Sequence, residues 1–357
     1  MRWFNKDMIL KITLYFFILL LPYCGLSGQG IANIKVGVIT REFVVAKPFF
    51  ASCHAATLVE CPGNKILAAW FAGSVESAPD VSICLAACNN GIWDQPQIVA
   101  DGIVNDSLRY ACWNPVLFRT KRGLLFLFYK VGKTPREWWG MMKHSDDNGV
   151  TWSAAQKLPD GILGPVKNKP LQLKNGSLLY PSSTESMDEK LWQIHMEKSD
   201  SKAKHWQNIP LACGSFGVIQ PAILSYKNNK LQLLCRSRQN FIIQSWSADG
   251  GKTWGPLTKT SLANPNAGID AVTLRNGLQL LVYNPLDAGS EWVKGRNKLS
   301  VAVSSNGIDW KDVITLEYTP AGEYSYPAVI QTRDGLVHIL YTYNRKNIRH
   351  IVLKLTG

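Results

Sequence analysis

One pattern recurs six times along the 357 residues: an apolar strand, a turn with Gly or Asn, then a second apolar strand. The copies are TLVECPGNKILAAW from Thr57, NPVLFRTKRGLLFLFYK from Asn114 and KPLQLKNGSLLYPSS from Lys169. They continue with QPAILSYKNNKLQLLCRS from Gln220, DAVTLRNGLQLLVYN from Asp270 and YPAVIQTRDGLVHILYTY from Tyr326. The apolar and β-branched content around each turn is that of a β-hairpin. The turn residues Gly63, Gly123, Gly176, Asn229, Gly277 and Gly335 lie 48 to 60 residues apart, the length of a four-stranded blade with its loops. Such spacing predicts an all-β, six-bladed β-propeller.

A second pattern interleaves with the hairpins. Ser145 to Trp152 and Ser247 to Trp254 both read Ser-x-Asp-x-Gly-x-Thr-Trp, the Asp box. Ser304 to Trp310 is a shortened copy, Ser199 to Trp206 a decayed one, and Asn89 to Trp93 a remnant. The Asp and Gly suit a tight turn between outer strands, and the Trp suits packing between blades. The sixth hairpin is followed by a single strand, IRHIVLKL, and no Asp box. The missing outer strand is therefore expected from Ile34 to Ala46, which would pair in the last blade and leave no open edge.

The expected domain is 31–357. Residues 1–30 read as a secretory signal: Arg2, Lys6 and Lys11 precede the apolar run Ile12–Tyr23, which is too short to span a bilayer. The expected address is secreted or periplasmic, with lipid anchoring at Cys24 the weaker alternative. No later segment reads as a membrane span, and a monomer is expected. Seven cysteines follow residue 30, mostly inside apolar runs, and read as small core residues. None has the spacing of a zinc site, and no cofactor is implied. Removing three basic residues and one acid with the leader takes the net charge from +13 to +11. That field favours anionic partners. No basic helix or arginine-rich stretch points to nucleic acid.

In a propeller, residues just before each hairpin and just after its second strand share one face. Here they include His54, Trp113, Asn114, Asn168, Gln220, Asp270 and Tyr324 to Tyr326, with Glu76, Asp80, Lys130, Trp138 and Trp139. Glu185, His195, Arg236, Arg238, the stretch from Asn284 to Arg296, Tyr341 and Arg345 complete the set. Aromatic walls with arginines and carboxylates suit a charged sugar: rings stack on indoles, and a guanidinium fork holds a carboxylate in bidentate fashion.

With these motifs the chain resembles the sialidase (neuraminidase) superfamily over nearly its whole mature length, in a divergent bacterial-type branch. The resemblance implies arginines clamping the sugar carboxylate, a tyrosine nucleophile assisted by a glutamate, and an aspartate acid/base. On that pattern Arg236 and Arg296 are the arginines, and Tyr324, in Tyr324-Ser325, is the nucleophile. Asp80 is the acid/base, with Glu76 in reserve. Two positions depart from the pattern. His54-Ala55-Ala56 stands where the family has Arg-Ile-Pro, and Gln220 stands where it has the helper glutamate. Both His54 and Gln220 are counted with the catalytic candidates. Trp113, Asn114, Lys130, Trp139, Asp270, Tyr326 and Arg345 are expected to bind substrate. The implied activity is exo-acting release of a terminal acidic sugar from an acidic glycan, sialic acid by default. A uronate-directed lyase or glycosidase, or a non-catalytic glycan-binding propeller, fits the same residues.

Overall fold

The computed structural model describes residues 33–48, 50–288 and 294–357. The expected signal sequence and Cys24 lie outside them. Six antiparallel sheets are arranged in chain order, each running outward from an inner strand. Blade I is built on Ser52–Cys61 and Lys65–Gly73, blade II on Ala111–Arg119 and Leu125–Gly132, and blade III on Leu171–Gln172 and Leu178–Glu185. Blade IV follows from Val218–Ser225 and Leu231–Ser237, blade V from Asp270–Thr273 and Gln279–Tyr283, and blade VI from Tyr324–Gln331 and Val337–Tyr343. Each pair is one of the six sequence hairpins.

The outermost strand of blade VI is Lys35–Phe43, paired antiparallel with Asn347–Thr356 from Lys35↔Thr356 to Phe43↔Arg349. Closure from both chain ends, expected from the missing outer strand, is what the topology shows. Side chains fasten the clasp to its neighbours. Arg41 donates to Leu316 O at 2.8 Å and to Glu317 Oε1 at 3.0 Å in blade V. Trp93 Nε1 of blade I donates to Glu42 Oε1 at 3.0 Å.

Apolar side chains pack between successive sheets. Leu67, Phe71, Leu117, Leu125 and Tyr129 fill the wedge between blades I and II, and equivalent clusters fill the rest. The seven cysteines of the described chain are all buried and free, as core residues should be. Burial raises the Cys53 thiol to about 11 and the Cys84 thiol to about 12. Among the described residues no helix is long and apolar enough to cross a membrane.

The Asp boxes form the turns of one face. In blade II, Asp147 accepts the Val150 and Thr151 amides at 3.0 and 2.9 Å, and the Thr151 hydroxyl at 2.5 Å. Asp249 repeats this in blade IV with Lys252 and Thr253. Gly149 follows with φ 82°, and a Cβ there would stand 2.5 Å from Leu67 Cδ1 of blade I. Only glycine meets both demands. Each box is thus a closed local circuit that also seats one blade on the next.

Candidate functional site

The opposite end of the hairpins is built differently. Near the start of four inner strands a non-glycine residue has positive φ: Ala55 at 55°, Asn114 at 40°, Gln220 at 56° and Tyr326 at 54°. Lys167, at 75°, occupies the approach to the inner strand of blade III. The ladders slip at the same places, between His54 and Thr57, Ile219 and Ala222, and Ser325 and Ala328. These are β-bulges, which re-aim side chains. Asn114, Gln220 and Tyr326 each precede a proline, whose missing N–H suits a broken ladder. Each such residue costs on the order of 1–3 kcal/mol, so the strain persists only because the surrounding ring enforces it.

Tyr326 stands at the centre of the group these bulges assemble. Its hydroxyl accepts from Arg236 Nη1 at 2.6 Å, and Gln220 Nε2 lies 3.5 Å away. The His54 ring lies over the phenol, with centroids 4.2 Å apart. Arg236 also donates to Gln220 Oε1 at 3.3 Å and to Asn266 Oδ1 at 2.9 Å. Arg296 donates to the Asn266 carbonyl at 3.2 Å, so one loop residue spaces two guanidiniums. Glu323 Oε1 accepts from Arg345 Nε at 2.9 Å and lies 3.6 Å from Arg296 Nη1. Arg345 is further paired with Glu76 from the rim of blade I. Three arginines from blades IV, V and VI therefore converge on one tyrosine.

The charge is concentrated and dry. Burial, then the fields of Arg345, Arg296, Arg236 and Lys167, push the His54 imidazole well below its ordinary range, leaving it neutral. Its Nδ1 lies 2.8 Å from Thr342 Oγ1. Burial and the neighbouring Arg236 lower Arg296 to about 10, still cationic at neutral pH. Burial also pulls on Arg345, but Glu76 and Glu323 outweigh it and the net shift is upward. Beneath the phenol, Lys167 is buried. Its ammonium is shared by Asn168 Oδ1, Ile269 O and Pro327 O, and burial, partly offset by Asp270, brings it to about 7. Among the described residues no group of three His, Cys, Asp or Glu is set to hold a metal.

The structure thus brings together His54, Gln220, Arg236, Arg296, Tyr326 and Arg345, and it places other expected residues elsewhere. Tyr324 is only 1% exposed, and its hydroxyl meets Thr319 Oγ1 at 2.8 Å while its ring packs on Tyr343. It belongs to the core between blades V and VI. In a regular strand residues 324 and 326 would share a face; the bulge at Tyr326 separates them. Lys130 is fully buried, donating to Pro165 O at 2.8 Å, and Trp113 is buried with Nε1 on Gly132 O at 2.9 Å. Neither is placed to meet a substrate. Asp270 is committed to Lys169, at 2.7 Å, and to the Val329 amide, at 2.8 Å, so it braces inner strands together. Tyr341 donates to Glu317 across blades VI and V, and His195 pairs with Glu197 on the same strand of blade III. Trp139 lies off the axis, edge-on to Tyr110. Asn114 is buried at the blade II bulge. Asp80 sits on the exposed rim loop of blade I, its carboxylate held by the Ser74 amide and hydroxyl at 2.8 Å.

Four participants were not singled out by the sequence: Lys167, Asn266, Glu323 and Thr342. The repeat register held one usable signal. Aligning the hairpins on Asn114-Pro115, Gln220-Pro221 and Tyr326-Pro327 selects Tyr326, whereas the Tyr-Ser pair selects Tyr324.

A family model described as a BNR repeat-like domain matches residues 64–339. The chain belongs to the BNR repeat-like family. Solved structures agree on the fold. A protein of unknown function from Dyadobacter fermentans superposes with a TM-score of 0.72 at 14% identity, covering 90% of this chain and 99% of that one. NanB sialidase from Streptococcus pneumoniae gives 0.70 at 12% identity, covering 92% and 73%. A Trypanosoma rangeli sialidase with the inhibitor DANA gives 0.65 at 18%, covering 88% and 59%. Among curated proteins none matches the chain by sequence.

Proposed function

We propose that this BNR-family propeller is an exo-acting glycosidase of the sialidase type that removes a terminal acidic sugar. The observation that carries the reading is the gathering of Arg236, Arg296 and Arg345 around Tyr326 and His54, with Arg236 on the phenol hydroxyl. Three buried guanidiniums, with Glu323 and Glu76 among their partners, form a cationic setting that a sugar carboxylate would complement in bidentate geometry. Tyr326 takes the nucleophile's role in place of Tyr324. A phenol of ordinary pKa about 10 is a weak nucleophile at neutral pH and needs a base or a cation beside it. Arg236 supplies the cation. Gln220 orients the pair but takes no proton, and neutral His54, whose ring packs against the phenol, is the candidate base. Asp80, on the rim, is the proton donor to the departing group, and the resemblance to sialidases makes sialic acid the first sugar to test. Secretion after loss of residues 1–30 suits an extracellular glycan.

A second reading draws on the His54–Tyr326 contact. A neutral imidazole over a phenol is also the pairing needed to abstract the C5 proton of a uronate and eliminate its 4-linked substituent. Incubating the purified chain with sialosides and uronate-terminated glycans, with mass detection of products, separates the two. Hydrolysis adds water to the products, whereas elimination leaves an ultraviolet-absorbing unsaturated uronate. Arg236→Ala or Arg296→Ala should lower kcat/KM at least 100-fold, and Lys at either position should restore little of it, because a point charge lacks the fork. Full activity in the Arg236→Ala, Arg296→Ala double variant would remove both from the site.

A further inference from the structure

The Asp-box face carries a concave feature of its own. Between the hairpin turns of blades II, III and IV lies a hollow of about 640 Å³, within the usual range of ligand pockets. Five cations line it: Arg119 and Lys121 from blade II, Lys174 and Lys198 from blade III, and Lys252 from the Asp box of blade IV. At Lys198 and Lys252 it meets a second hollow of about 290 Å³, which continues along the seam of blades III and IV to the outer strand Gln207–Pro210. The two make one groove leading outward from the inner turns.

These charges do not hold the blades together. Elsewhere on the same face, cations do. Lys65 donates to Asn148 O at 3.2 Å across blades I and II, and Arg275 holds the Thr332 and Arg333 carbonyls across V and VI. Arg333 Nε lies 3.3 Å from Glu60 Oε1 across VI and I. Along the groove the tie between blades II and III is neutral, with Gln172 Oε1 accepting the Lys121 amide at 2.8 Å. Arg119 reaches only the amide oxygen of Asn148, and among the described residues none of the five cations makes an ion pair. Asp249 is the one acid lining either hollow among the described residues. Its own box occupies it, through the Ser247 and Thr253 hydroxyls at 2.8 and 2.6 Å. A cleft lined by charge of one sign focuses its field and concentrates anions.

We propose that this groove is a second binding site, a docking channel for a linear anionic polysaccharide. It goes beyond the axial reading and stands without it. Lys198 is half-buried where the hollows meet, so a single chain can reach it and a flat bilayer cannot. The rings nearby are engaged: Tyr226 packs on Trp246 with centroids 5.1 Å apart, and Phe118 belongs to the core between blades II and III. Neither is free to stack on a base, as single-stranded nucleic acids require. Lysine ammoniums are point charges that accept sulfate or carboxylate oxygens from many directions, which suits charges repeated along a flexible chain.

Isothermal titration of the full chain with dextran sulfate and with polygalacturonate tests the groove, with neutral dextran as the control. The expected result is saturable binding of at least one anionic chain, none of dextran, and an affinity that falls as salt is raised. The triple variant Lys174→Gln, Lys198→Gln, Lys252→Gln should bind at least tenfold more weakly. A matched triple on the far side of the ring, Lys47→Gln, Lys311→Gln, Lys354→Gln, has the same net charge and should stay within twofold of the parent. Binding should also be kept in Arg236→Ala, which separates the groove from the axial site. If urea midpoints show the groove triple to be unfolded, the exposed pair Lys174→Gln, Lys252→Gln carries the test, with at least a threefold loss expected. No saturable binding of either chain, or equal losses in groove and matched variants, overturns the proposal. So does tighter, groove-dependent binding of anionic phospholipid vesicles or of a single-stranded oligonucleotide.

Discussion

The two faces of this propeller solve opposite problems with the same hairpins. On the Asp-box face the carboxylate of each clean box is satisfied within a few residues, as where Asp147 collects the Val150 amide and the Thr151 amide and hydroxyl. On the axial face partners come from far along the chain: Arg236 meets Tyr326, and Arg345 meets Glu76. The first arrangement repeats because its hydrogen bonds close within one turn and the same turn seats each blade on its neighbour. The second occurs once, uses strained backbone at Gln220 and Tyr326, and crowds like charges. Natural sequences tolerate such local conflict where function requires it.

The contrast is broken most sharply at the two tyrosines. Tyr326→Phe should reduce turnover of the acidic substrate by at least three orders of magnitude while leaving its affinity within a few-fold. Tyr324→Phe loses the hydroxyl's contacts with Thr319 and Tyr343; it should keep turnover within about twofold and cost about 1 kcal/mol of stability in urea unfolding. The opposite ranking would return the chemistry to the blade V–VI core.

On the other face, Gly149→Ala places a Cβ against Leu67 at a left-handed φ. It should lower stability by about 1–3 kcal/mol, by denaturant midpoint, with sugar affinity unchanged. An equal loss of affinity would mean that the faces are not independent.

A further expected effect concerns pH. Lys167 titrates at about 7 when folded and near 10.5 when unfolded, so the unfolded chain holds more protons between those values. This part of the stability therefore rises with pH through that window and is complete only above 10.5. For Asp147 and Asp249, hydrogen bonds from Thr151 and Thr253 hold the carboxyls below 3.8, and their contribution is lost only as pH falls beneath that value. Comparing urea midpoints of the parent chain and Lys167→Met between pH 7 and 8.5 isolates the axial contribution. The parent should gain on the variant as pH rises. Parallel curves would show that the ammonium is not carried buried.

The Asp-box face was legible in the sequence because its logic is local: a Ser, an Asp, a Gly and a Trp at fixed spacing define the turn. Ring closure was legible too, because one blade lacked a strand. The axial face was half legible. Residues flanking the hairpins were the right neighbourhood, and His54, Gln220, Arg236 and Arg296 did meet. Side-chain direction was not readable, since a bulge at Tyr326 reverses what period-two counting gives for Tyr324. Long polar residues also misled. Lys130 and Asp270 look like ligand contacts on paper, yet one is sealed between blades and the other is spent on Lys169 and a backbone amide. Asn266, between two guanidiniums, is visible only once both are placed.

The pairing of Lys35–Phe43 with Asn347–Thr356 has a bearing on biosynthesis. Lys35–Phe43 emerges from a ribosome some 300 residues before its partner Asn347–Thr356, and waits through their making with its edge exposed. Joining ends that far apart costs on the order of 5 kcal/mol in chain entropy, and nothing returns it until the final strand is free of the exit tunnel. Nascent blades I to V can fold as they appear, but the arginines of blades IV to VI and the histidine of blade I become one site only once blade VI has been made. A partly made chain would carry open sheet edges, the kind that recruit other strands. Holding that early segment away from neighbours until synthesis ends is a task for chaperones.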